Sequence, residues 1–200
     1  MAAVDYRQYP NLITASEVVS LQTELAKLGF KTDDISNSTA DVLDLAAALD
    51  VNLAEAAEFT GSLIRSFGLT TEETTRVVDV MAKSTSSSAL NFESLKESLK
   101  LVAPVSTSVG VSLEKTTALL GVLADRGLKG SIAGTGLAKT FIMLSKQGLT
   151  LEQGLKKVTD SGFDLNTAID LVGIVGAKTF ITLAKGSEDI GKLEGALNNA

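Results

Sequence analysis

Hydrophobic and polar positions recur along this chain with the spacing of amphipathic helices. Between residues 92 and 102, the apolar positions are Phe92, Leu95, Leu99 and Val102, and charged residues fill most of the positions between them. This spacing gives a helix one face for the core and one for solvent. The two-residue alternation that predicts strands is almost absent. The pattern therefore predicts an all-α fold of roughly nine to ten short helices, in a compact bundle or a short helical-repeat array.

The starts of these helices are marked by small polar residues that follow an aliphatic residue. Such a side chain can accept hydrogen bonds from the free amides of the first helical turn, as an N-cap does. The predicted N-caps are Asn52, Thr70, Asn91, Ser112, Ser131, Thr150 and Asp164. Glycines at positions 29, 68, 110, 127, 148 and 162 lie where the preceding helix is expected to stop. Between these marks we predict helices over residues 15–28, 38–49, 53–67, 71–83, 92–108, 113–126, 132–146, 151–160, 165–184 and 188–199.

The organisation of the chain follows from where this pattern is interrupted. Residues 84–88 are a run of serine and threonine, which predicts a loop and a soft seam between two parts of the chain. We expect residues 1–35 to form an N-terminal arm or first helix, and residues 36–200 to form a helical core domain. The helix from Leu113 to Ala124 has no polar face beyond its threonines, so we expect it to be central and buried.

Two pairs of short segments resemble each other. Ala138–Lys146 reads AKTFIMLSK, and Ala177–Lys185 reads AKTFITLAK 39 residues later. The segment GVSLE from Gly110 is likewise followed by GLTLE from Gly148. Such a period is typical of stacked helical pairs, although an array needs at least three copies for stability. The alternative interpretation is a recurrence of helix-cap sequences without a structural repeat.

Composition removes several classes of function. The net charge is −6 with a sequence pI near 4.8, and direct nucleic-acid binding needs clustered basic residues. The absence of histidine removes the commonest general base and metal ligand, and the absence of cysteine removes thiolate chemistry. The most apolar segment, residues 168–184, is shorter than the length a membrane-spanning helix needs. We therefore predict no catalytic, cofactor-binding or metal site, and no direct contact with nucleic acid.

The glycine-rich stretch 127–136 is the one candidate ligand loop. In a phosphate-binding loop, a strand precedes the loop and lysine directly follows the last glycine. Here Lys129 precedes Gly130, and a buried helix comes first. Each residue has a structural explanation instead, because Gly127 can end one helix, Ser131 can cap the next and Gly134 can allow close packing. We interpret the stretch as part of the helical scaffold.

An ordered set of residues carries a family resemblance. Its densest part consists of Ala103, Pro104, Gly110, Ser112, Glu114, Gly127, Gly130, Ser131, Gly134 and Thr135. A later part includes Gly176, Ala177, Leu183 and Ile190, and continues from Leu193 to Asn199. Over residues 51–199, the chain resembles the core region of bacteriophage tail tape-measure proteins. One departure is Ala138, where the family commonly has a basic residue; here the lysine is the next residue, Lys139.

The resemblance implies a structural role without catalysis. Family members are much longer chains that lie inside the tail tube, set tail length during assembly and leave ahead of the DNA at infection. The expected partners are tail-tube subunits, tail-tip or baseplate proteins, assembly chaperones and other copies of the chain. The expected locations are the lumen of the virion tail and the host cytoplasm during assembly. Two alternatives remain open, a membrane-active helical domain that helps DNA cross the host envelope and a generic helical binding module.

Overall fold

The computed structural model describes residues 14–200, and this part of the chain is all-α. Its ten α-helices are α1 (Ala15–Lys27), α2 (Thr32–Leu49), α3 (Leu53–Phe67), α4 (Thr74–Ser87), α5 (Phe92–Ser108), α6 (Leu113–Asp125), α7 (Gly130–Lys146), α8 (Leu151–Asp160), α9 (Leu165–Lys185) and α10 (Ser187–Asn198). One 3₁₀ turn, Thr71–Glu73, precedes α4. The prediction of an all-α fold is confirmed. The largest difference in a helix boundary is at α2, which begins at Thr32 and not at residue 38.

The structure divides into two compact units, with the boundary between Asp79 and Val80 inside α4. The predicted boundary at residue 35 falls within α2, and residues 1–13 of the predicted arm lie outside the described residues. The predicted seam at residues 84–88 is not a loop, because α4 continues to Ser87. The serine hydroxyls there donate back to helix carbonyls, as Ser84 Oγ does to the Met81 oxygen at 2.8 Å. Such bonds let serine continue a helix where its propensity alone favours a turn.

The first unit is built on the packing of α1 and α2 against α3. Leu21 and Leu25 of α1 are fully buried, as are Val42 and Leu43 of α2. Gly61 of α3 lies against Leu28, since a Cβ at Gly61 would come within 2.3 Å of the leucine side chain. Burial of these aliphatic side chains supplies the main driving force for folding of this unit.

The second unit is centred on α7, which packs between α5 and α9. The helix α6 is buried on nearly all sides, as its lack of a polar face predicts. The helix α10 packs against it. The helix α5 continues through Pro104 to Ser108, so the proline does not end it. The helix α8 packs on α9.

The packing of α7 on α9 decides between the two interpretations of the repeated segments. Gly136 lies opposite Thr179, and Thr140 lies opposite Gly176, so residue numbers rise along α7 as they fall along α9. The two helices are therefore antiparallel. Stacked repeats would place the corresponding helices parallel, because each repeat is related to the next by a small rotation. The resemblance of Ala138–Lys146 to Ala177–Lys185 is not a structural repeat.

Candidate functional site: helix contacts and exposed surfaces of the second unit

The described residues contain no cluster of carboxylates placed to hold a metal ion. With no histidine or cysteine in the sequence, the chemistry available is that of hydroxyls, carboxylates, amines and apolar surface. The candidate sites in the described residues of the second unit are its exposed surfaces and the close helix contacts that support them.

The contact between α5 and α7 is formed by three of the family-motif residues. A Cβ added at Gly134 would lie 2.6 Å from the backbone oxygen of Ser98 and 2.9 Å from its Cα. Ser98 Oγ donates to the Gly130 oxygen at 2.8 Å, and the Ser131 amide donates to Glu97 Oε2 at 3.3 Å. Glycine is needed at 134 because the α5 backbone occupies the space that a side chain would fill. These motif residues bring the two helices together.

The other motif residues are divided between core, turns and surface. Ala103 and Glu114 are buried, whereas Pro104 and Thr135 are exposed. Gly110 and Gly127 have φ angles of 73° and 81° and follow the ends of α5 and α6. The structure does not gather the ten predicted motif positions into one site.

The predicted N-caps can be placed one by one. Asn52, Asn91, Ser112, Thr150 and Asp164 each precede a helix and accept a hydrogen bond from an amide of its first turn, and Thr70 precedes the 3₁₀ turn. The prediction for Ser131 is wrong, because α7 begins at Gly130 and its N-cap is Lys129. The Glu97 carboxylate accepts from the Ser131 amide and so performs from α5 the task expected of a local cap.

The exposed carboxylate of Asp164 shows what such a cap does electrostatically. It accepts from the Thr167 amide at 2.7 Å and from the Thr167 hydroxyl at 2.9 Å. These hydrogen bonds lower the pKa of Asp164 below its ordinary value because they favour the ionised form, and the bond from the Thr167 amide has the largest effect. The charge therefore stabilises the start of α9 at neutral pH.

A groove of about 620 Å³ lies between the turn after α5 and the turn after α7. Its apolar wall includes Phe141 and Leu144, and its charged rim holds Lys115, Glu152 and Glu194. The Lys115 amine lies 2.8 Å from Glu194 and 3.6 Å from Glu152. The two similar segments GVSLE and GLTLE both contribute residues to the lining of this groove. Their similarity in sequence therefore corresponds to a shared surface and not to a structural repeat.

The helix α9 carries Ile174, the most exposed large apolar side chain among the described residues. Ile174 is 80% exposed and Val175 is 61% exposed, directly after a break in the helix at Gly173. Within the described residues, α9 is the one helix with the length and composition of a membrane span, with a mean hydropathy of 1.5 and half of that window buried. Residues 168–184, the segment predicted to be too short for a span, lie within this helix of 21 residues, which is interrupted at Gly173.

The two units also differ in charge. Residues 1–79 contain 13 acidic and five basic side chains, whereas residues 80–200 contain 11 acidic and 13 basic side chains. The net charge is therefore −8 for the first unit and +2 for the second. Such a difference sets which surfaces of other proteins each unit attracts. This difference in charge can be counted from the sequence once the boundary between Asp79 and Val80 is known.

The ten helices of the described residues and the close helix packing at the motif residues define the class of the fold, an all-helical protein. The chain belongs to the phage-related minor tail protein family, whose model matches residues 6–194. This membership confirms the resemblance found in the sequence and makes the chain a structural component of a phage tail.

Two curated relatives make the comparison more specific. The chain is 34% identical over 153 residues to the tape measure protein of Pneumococcus phage Dp-1. The aligned segment covers 76% of this chain and 13% of that protein. It is 31% identical over 123 residues to the probable tape measure protein of Escherichia phage P2. This aligned segment covers 62% of this chain and 15% of that protein. The chain thus spans at most 15% of the length of either relative. No solved structure matches it.

Proposed function

We propose that this chain is a non-enzymatic region of a tail tape-measure protein that acts through protein–protein contacts. Through these contacts it contributes to tail assembly, to tail-length determination and to genome delivery. The observation that carries this proposal is the use of the motif residues Gly130, Ser131 and Gly134 for helix packing. A region whose motif maintains a folded shape contributes by presenting surfaces.

The proposed partners are tail-tube subunits, tail-tip or baseplate proteins, assembly chaperones and other copies of the chain. The proposed locations are the tail lumen of the virion and the host cytoplasm during assembly. The difference in charge between the units supports contact with more than one kind of surface, since the first unit at −8 favours basic partners.

The test is an in-frame deletion of residues 80–200 from the full-length protein, with tails measured by electron microscopy. If the region acts as a folded module, its deletion should either prevent tail assembly or leave the length of the assembled tails nearly unchanged. If these 121 residues instead lay along the tail as one extended helix, the tail would shorten by about 180 Å, at 1.5 Å per residue. Shortening by that amount would contradict the folded-module proposal.

A second candidate function is membrane activity of the region after its release at infection. The exposed Ile174 and Val175 on the apolar helix α9 favour it, because exposed apolar side chains drive insertion into lipid. Dye release from anionic lipid vesicles by the purified chain tests it, with Ile174→Glu as the variant and Val19→Glu as the control. Equal release by both variants, or none by the natural chain, would count against this function. Membership of the tail protein family supports a tail role over a generic binding module unrelated to phage.

A further inference from the structure

The helix α9 consists of two half-helices that meet at a glycine. Gly173 has φ 73° and ψ 167°, a conformation that residues with a side chain rarely adopt. The first half is Leu165–Val172 and the second half is Ile174–Lys185. A Cβ at Gly173 would meet no atom within 4 Å, so the space around it does not require glycine. Only the backbone conformation of the break requires it.

At the break, the side chain that follows the end of α7 donates hydrogen bonds to carbonyls of the first half of α9. In a continuous helix, the oxygens of Asp170 and Leu171 accept from the amides of Ile174 and Val175. Here Gln147 Nε2 donates to the Leu171 oxygen at 2.6 Å and lies 3.5 Å from the Asp170 oxygen. Gln147 directly follows the last residue of α7, so the packing of α7 on α9 positions it. The bent form of α9 is thus held by a specific contact.

The first half of α9 is the less firmly packed of the two. Its buried residues are Ala168, Leu171 and Val172, whereas the second half buries six residues including Phe180 and Leu183. Its other end also adjoins left-handed backbone, because Phe163 has φ 64° in the turn before it. Such a conformation is strained in a residue with a bulky side chain. The segment Leu165–Val172 is therefore bounded on both sides by backbone with a positive φ.

We propose that Leu165–Val172 is a movable half-helix and that Gln147 is the clamp that holds it bent. When Gln147 releases, Gly173 takes helical angles and the carbonyls of Asp170 and Leu171 turn to the amides of Ile174 and Val175. The helix α9 then becomes one continuous element of about 31 Å. Glycine permits both states, since it adopts positive and negative φ about equally well. This inference goes beyond the proposed function and does not depend on it.

The absence of cysteine from the sequence allows a direct distance measurement. Asn166 and Lys185 are exposed and lie on opposite sides of the break, so spin labels on introduced cysteines report the bend. In a continuous helix their Cα atoms would be about 28 Å apart, and in the bent form they are closer. Pulsed electron paramagnetic resonance gives the population of each distance, and hydrogen exchange at Ile174 and Val175 reports whether their amides have become bonded.

The variant Gly173→Ala should raise the population of the long distance by on the order of tenfold or more, because alanine disfavours the bent angles and favours the helix. It should also slow exchange at Ile174 and Val175. Gly191→Ala is the matched control, since Gly191 lies inside α10 with no atom near its Cβ position and should leave both readouts unchanged. Unchanged distances and exchange in Gly173→Ala would overturn the proposal.

A second pair of variants decides the matter if Gly173→Ala does not fold. Gln147→Leu removes the donor and should increase the long-distance population, whereas Gln147→Lys keeps a donor and should restore the natural distribution. A merely structural role for Gln147 would lower stability without adding a second distance. The natural distribution in Gln147→Leu would therefore overturn the proposal as well.

Discussion

The substitution Gly134→Ala tests whether the family motif maintains the contact between α5 and α7. A methyl group at this position would lie 2.6 Å from the Ser98 oxygen and 3.1 Å from its carbonyl carbon. Real Cβ atoms do not approach so closely, and the neighbouring atoms belong to backbone that is fixed within α5. The two helices must therefore separate to accommodate the methyl group.

The expected effect is the balance of two opposing contributions. Overpacking of a well-packed contact costs about 1–3 kcal/mol, and the involvement of backbone places this case near the upper limit. Replacement of glycine by alanine inside a helix contributes about 1 kcal/mol in the opposite direction. The net expectation is a loss of about 2 kcal/mol in the free energy of unfolding. For a unit of this size, that corresponds to a fall in Tm of roughly 5–10 °C.

The assay is unfolding in urea followed by circular dichroism, with the midpoint and the slope compared between variants. Gly191→Ala is again the matched control, because it makes the same chemical change inside a helix where a Cβ meets nothing within 4 Å. It should stabilise the chain by up to about 1 kcal/mol. If Gly134→Ala were as stable as Gly191→Ala, the close contact would not exist and the structural explanation of the motif would be wrong.

Three further predictions concern charge and capping. Asp79 is half-buried, and its burial, together with the nearby charge of Asp41, raises its pKa. The variant Asp79→Asn should therefore raise the urea midpoint at neutral pH. This gain should disappear as the pH falls to about 3, because the carboxyl is then protonated in both the folded and the unfolded state. Ser112→Ala should lower the unfolding free energy by about 1 kcal/mol, since Ser112 Oγ accepts from an amide of the first turn of α6, and chemical denaturation measures this loss. A double-mutant cycle of Lys115→Met with Glu194→Gln should give a coupling below about 1 kcal/mol that weakens with added salt, because the pair is partly exposed.

The sequence predicted most helix boundaries because the signals that set them are local. A capping side chain such as Asn52 bonds to amides two and three residues away, and a glycine such as Gly68 adopts its positive φ at the helix end itself. These interactions require no knowledge of the rest of the fold.

The failures arise where distant residues act. Ser131 looked like a cap, but Glu97 from α5 binds its amide, 34 positions away in the chain. The break in α9 at Gly173 was not predicted, because it involves Gln147, whose side chain comes from the end of α7. Serine at position 84 suggested a loop, but it is fully buried within α4. Local propensity is a weak prior that tertiary contacts override.

The two glycines Gly134 and Gly173 show why residue type alone does not define function in this family. Gly134 has ordinary helical backbone and no space for a side chain, so it holds two helices together. Gly173 has ample space and a positive φ, so it allows one helix to change direction. The same substitution by alanine should therefore act in different ways, through the stability of the fold at 134 and through the geometry of α9 at 173. The structure places both kinds of position in neighbouring helices of one unit, so the two alanine variants separate fold stability from helix geometry within the same fold.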